Sequence, residues 1–191
     1  MFDDAVGGLW PYSHQWMVEA SALKNAVTAF EVYLEKGLRE VIEHWSVEIE
    51  GKQGRHRPRL KTPQGLTSPM WKTMTTGHSV LGSTVATPGV VWARDLRHLL
   101  THQNGELRVQ KALDEFRDAA AEADADLHQQ SYVGGRVHLG INRVVGVLDA
   151  LAAVVRHADV QIHNYGPWGR ERNNPPLDRL AAARCLDFIP E

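Results

Sequence analysis

Cysteine is almost missing from this 191-residue chain, where Cys185 stands alone. One thiol excludes a disulfide framework and any zinc site built from several cysteines. Long apolar runs are missing too, since none approaches the ~18 residues needed to cross a bilayer. Met1 to Trp10 carries no basic segment followed by a hydrophobic stretch, so no secretory leader is expected there. These absences point to a cytoplasmic protein with no membrane partner. Acidic residues are missing from one region only. Residues 51–94 hold Lys52, Arg55, Arg57, Arg59, Lys61, Lys72 and Arg94 without one Asp or Glu. The flanking segments are acidic, so the net charge of −2 conceals a local cationic feature. Such a run attracts phosphates, although a solvated basic loop is its ordinary explanation.

What is present is helical periodicity. Trp16, Ala20, Leu23, Val27, Phe30, Leu34, Leu38, Val41 and Trp45 recur in steps of three and four. Val109, Leu113, Phe116, Ala120, Ala123 and Leu127 repeat the pattern, as do Val137, Ile141, Val144, Leu148, Leu151 and Val155. Each series lays one apolar stripe along a helix. Pro11 with Ser13 suits the start of the first helix, Gly51 its stop, and Gly134-Gly135 the turn before the third. A shorter helix is predicted from Pro88 or Gly89 to Gln103, closed by Asn104-Gly105. Residues 70–82 can hold a weak helix, and Pro175-Pro176 opens another through Cys185. Pro, Gly and Thr crowd residues 51–69, which read as an exposed loop. No strand alternation, repeat or linker stands out. The expectation is a single all-α domain over 1–191, an up-and-down bundle of four to five helices. Its core is expected at about 13–157, with a basic exposed loop at 51–69 and a tail at 158–191.

The segment from Val90 to Gly105 is the most informative. At 100° per residue, Trp92, Leu96, Leu99 and Leu100 share one stripe, and Arg97 and His102 fall on opposite shoulders, about 140° apart. His98 lies close to His102, since four residues nearly complete a turn. Arg97-His98-Leu99-Leu100-Thr101-His102 resembles the Arg-x4-6-His signature of HEPN domains, with a polar residue after the arginine. Asn104-Gly105 is similar to the polar-Gly end that often follows the histidine. The amphipathic run from Ser21 to Glu35 resembles the long helix that opens many such domains.

The resemblance implies a HEPN-like helical bundle that dimerises and brings two motifs into one cleft. It also implies metal-independent endoribonuclease activity, of the kind used in toxin–antitoxin and phage-defence systems. RNA would be the substrate, and a cognate antitoxin protein a possible partner. Arg97 and His102 would then be the catalytic pair, supported by His98, with no cofactor. Lys52, Arg55, Arg57, Arg59 and Lys61 would hold RNA by its phosphates. A histidine can move protons near neutral pH, and an arginine offers a fixed fork of donors to phosphorane oxygens. Some members are modified on a tyrosine two residues past the motif histidine; Asn104 occupies that position here.

Other readings stand beside this one. A surface arginine and a helix C-terminal histidine favoured by the macrodipole would look the same. A non-catalytic HEPN-like module would keep the fold and the basic stretch while cleaving nothing. His98 and His102 at i, i+4 could also ligate one metal ion with His44 or His157. The zincin pattern is missing, because Leu99 stands where the glutamate would be. Trp16, Trp45 and Trp92 read as core. Trp168, in a turn, could stack a base.

Overall fold

A computed structural model describes residues 10–50, 56–123, 133, 136–166, 169–171 and 174–190. Six helices lie within them: α1 (Trp10–Glu50), α2 (Trp71–Val80), α3 (Pro88–His102), α4 (Gln110–Glu122), α5 (Ile141–Asn164) and α6 (Leu177–Ala182). Strands β1 (His56–Leu60) and β2 (Leu186–Pro190) pair antiparallel. The described residues are therefore mostly helical, with six helices against the four to five expected, and they include a small sheet. None of the described helices is long and apolar enough to cross a membrane. Lys52, Arg55, Gly51, Leu127, Gly134, Gly135 and Trp168 lie outside the described residues.

The contacts of the chain gather into two compact units. One comprises Met1–Ala29 with Thr87–Ala152, the other Phe30–Ala86 with Ala153–Glu191. Two of the three divisions fall inside α1 and α5, so no Gly- or Pro-rich linker marks them in the sequence.

In the first unit, α1 contributes Ala20, Leu23 and Val27 to the interior. Trp16 donates its indole N–H to the Val137 carbonyl at 3.0 Å. Leu113, Phe116 and Ala120 of α4 are buried, and the Phe116 ring meets Trp92 of α3 at 4.5 Å. Val109, read as the first residue of that stripe, is exposed because it precedes α4 as an extended residue. The stripe expected on α5 is displaced. Val144, Val147 and Leu151 are buried, whereas Ile141 and Leu148 are 61% and 40% exposed. Apolar residues surround this helix on most sides, so three-four spacing alone allows more than one stripe, and packing selects among them.

In the second unit the remainder of α1 buries Phe30, Leu34, Leu38, Val41 and Trp45, as its spacing predicts. Leu38, Val41 and Trp45 join one core cluster with Leu60, Met74, Leu81, Tyr165, Leu177, Leu180, Cys185 and Leu186. The tail at 158–191 is thus part of a core, because Leu177, Leu180 and Leu186 have apolar side chains to bury. Trp45 donates to the Tyr165 carbonyl at 2.9 Å.

Residues 56–60 are a strand, not a loop. Leu60 and Leu186 face each other in register and both are buried, which anchors the apolar end of the sheet. Pro58 is tolerated because β1 has a partner on one edge only.

Candidate functional site

Helix α3 is built by sequence features that can be traced one by one. Thr87 is extended and its hydroxyl accepts the Val90 N–H at 3.4 Å, while Pro88 fills the first turn, where no N–H is needed. Val90, Trp92, Ala93, Leu96, Leu99 and Leu100 are buried, leaving the polar side chains along the helix edges. The helix ends as expected. Asn104 and Gly105 take positive φ of 52° and 75°, and the Gly105 N–H reaches the Leu99 carbonyl at 3.1 Å.

That scaffold places the three candidate residues near the helix C-terminus. His98 and His102 are exposed, and their ring centroids lie 4.5 Å apart with the planes tilted by 48°. Arg97 is half-buried, and Thr101 donates to its carbonyl at 2.8 Å. Arg97 and His102 still diverge around the helix, by about 140° for ideal geometry. Asp95, one turn before His98 and Leu99, has its carboxyl pushed up by partial burial, against the opposing pull of Arg94 and His98. The arrangement offers two neighbouring imidazoles open to a ligand, with the Arg97 guanidinium on the opposite shoulder of the helix from His102. Among the described residues, no group of three His, Cys, Asp or Glu side chains is placed to hold a metal ion. His44 and His157 belong to the other unit.

The described basic residues are placed differently from the exposed loop expected. Arg57 and Arg59 sit on β1 two residues apart, and so on one face of the strand. Arg57 is paired with Glu43 of α1 at 3.3 Å. Arg59 lies opposite Asp187 in the sheet register. Lys61, exposed, follows the strand, its N–H bonded to the Cys185 carbonyl at 2.8 Å. Part of the positive charge is therefore offset locally. These residues belong to the second unit, whereas Arg97, His98 and His102 belong to the first.

A further feature of the first unit escaped the sequence reading. A cavity of about 640 Å³ is lined by Gln15, Trp92, His138, Arg143, Gly146 and Val147, among others. Its walls come from four separate stretches of chain, so no local motif announces it. Compared with known protein families, curated proteins and solved structures, the chain matches none.

Proposed function

We propose that the protein is a metal-independent endoribonuclease of HEPN type, acting in the cytoplasm as a homodimer. The observation that carries this reading is the exposed, adjacent pair His98 and His102 beside Arg97 on the last turns of α3. In the proposed reaction His102 takes the proton from an RNA 2′-OH, and the 2′-oxygen attacks the adjacent phosphorus. Arg97 stabilises the charge of the phosphorane, and an imidazole returns a proton to the departing 5′-oxygen. The P–O5′ bond breaks, leaving a 2′,3′-cyclic phosphate and a 5′-hydroxyl. Because Arg97 and His102 diverge on one helix, a second copy must complete each site. A role in toxin–antitoxin or phage-defence systems, with a cognate antitoxin protein, rests on the motif's resemblance.

Rates of RNA cleavage in EDTA test the assignment. Arg97→Ala and His102→Ala should each lose about 100-fold or more, the usual scale for an oxyanion donor or a positioned acid–base group. His98→Ala should lose less, since its role is support. Equal, severe losses at both histidines together with a metal requirement would replace this mechanism with a metal-dependent one. RNA binding without cleavage would leave a non-catalytic module.

A further inference from the structure

Of the ten histidines, His98 and His102 are the one pair spaced three or four residues apart along the chain. On a helix that spacing puts two side chains on one face, a turn apart. Both residues are exposed, and their ring centroids stand 4.5 Å apart with the planes tilted by 48°. That separation fits a shared metal ion. An imidazole nitrogen ligates a divalent transition metal at about 2.1 Å, and its ring centre lies about 1.1 Å farther back. Two such ligands at roughly 90–109° therefore place their centroids about 4.5–5.2 Å apart.

The backbone beneath the pair is fixed before any ion arrives. Leu96, Leu99 and Leu100 hold the buried face of α3 in the core, and the Thr87 cap and the Asn104-Gly105 turn close its two ends. Chelation then orders little beyond two side chains, so most of the coordination energy appears as affinity. The local charge is also suitable. His102 is the last residue of α3, at the carbonyl end, where the helix carries partial negative charge. Asp95 is exposed three residues before His98, on the same face. Arg94, one turn before His98, is opposed by the charge of Asp95, and Arg97 lies on the far shoulder from His102. Among the described residues no third His, Cys, Asp or Glu completes a set of ligands, so water fills the other positions around the ion.

We propose that His98 and His102 form a two-histidine chelate for a divalent transition-metal ion such as Zn²⁺, and that its occupancy switches off the chemistry assigned to His102. A neutral imidazole has one nitrogen lone pair. With the ion on that lone pair, His102 cannot take the 2′-OH proton. Binding stands on the geometry of the pair alone, whereas the inhibition rests on the ribonuclease reading.

Zinc chloride titrated into the metal-free full chain tests the site through the histidine Cε1–H resonances. Those of His98 and His102 are identified by their loss in His98→Gln and His102→Gln. Two ligands in place of four give about half the binding free energy of a structural zinc site, a dissociation constant on the order of 1–200 μM. The two resonances should change together and saturably in that range, ahead of the other histidines. Each Gln variant should weaken the site about tenfold or more. His98→Cys should restore it, because a thiolate also ligates zinc; a packing role for His98 predicts no such rescue. In cleavage assays zinc should suppress the wild-type rate with the same midpoint, and EDTA should restore it. Separate responses of the two resonances, no saturation below about a millimolar, or unchanged affinity in either Gln variant would overturn the site. Cleavage that persists with both histidines saturated would overturn the switch. If no RNA is cleaved, the ribonuclease reading and the switch fail together, while the resonances still decide the site.

Discussion

Replacing Gly105 with alanine challenges the turn that ends the helix bearing His102. Gly105 has φ +75°, which glycine adopts freely and an L-residue adopts at a cost of roughly 1–2 kcal/mol. Its added Cβ would stand 2.8 Å from Trp16 Cζ2, and 3.3 Å from Leu100 Cδ2. Neither neighbour can give way freely. The Trp16 indole is tied to the Val137 carbonyl at 3.0 Å, and the Arg136 guanidinium lies over its ring at 5.1 Å. Leu100 is buried in the α3 face. Relief of the clash should cost about 1–2 kcal/mol more, as overpacking usually does. Gly105→Ala should therefore destabilise by about 2–4 kcal/mol, read as a lower urea midpoint with an unchanged slope. In a Trp16→Leu background the loss should shrink toward the backbone contribution of about 1–2 kcal/mol. A loss below about 1 kcal/mol, or no coupling to Trp16, would refute the reasoning.

Two other outcomes follow from the same structure. His78 of α2 is fully buried; its Nε2–H donates to the Leu34 carbonyl at 3.0 Å, and burial lowers its pKa below the ordinary 6.5. Its stabilising contribution is complete above about pH 6.5 and declines as acid protonates the unfolded histidine first; His78→Gln should reduce this acid-side slope in urea melts, and an unchanged slope would contradict the neutral assignment. Changing Lys52, Arg55, Arg57, Arg59 and Lys61 together to serine should weaken RNA binding and flatten its salt dependence without altering the cleavage products. Altered products at unchanged affinity would show that the segment selects the cleavage position.

The course of α1 was legible because its apolar residues form one narrow stripe, and Ala20 through Trp45 are buried as that spacing requires. Helix α3 was equally plain, with Thr87, Pro88 and Asn104-Gly105 supplying its ends. Helix α5 was expected over 137–155 and runs from Ile141 to Asn164, and its buried face was not legible: Val144, Val145, Val147, Leu148, Leu151 and Val154 offer overlapping stripes. Strand β1 was hidden by its composition, His-Arg-Pro-Arg-Leu, and by a partner far along the chain at Leu186–Pro190. Pairing at that separation leaves no periodic trace. The candidate site was visible because Arg97, His98 and His102 share one helix and local spacing fixes their placement. The cavity was not, since it depends on how separate segments pack.

The most direct measurement is cleavage of a defined RNA by the purified wild-type protein in EDTA, with the new ends identified. The proposed chemistry predicts fragments ending in a 2′,3′-cyclic phosphate, or in the 3′-phosphate formed by its hydrolysis, paired with 5′-hydroxyl ends. Cleavage that requires an added divalent metal, fragments carrying 5′-phosphates, or no cleavage of any RNA would contradict it.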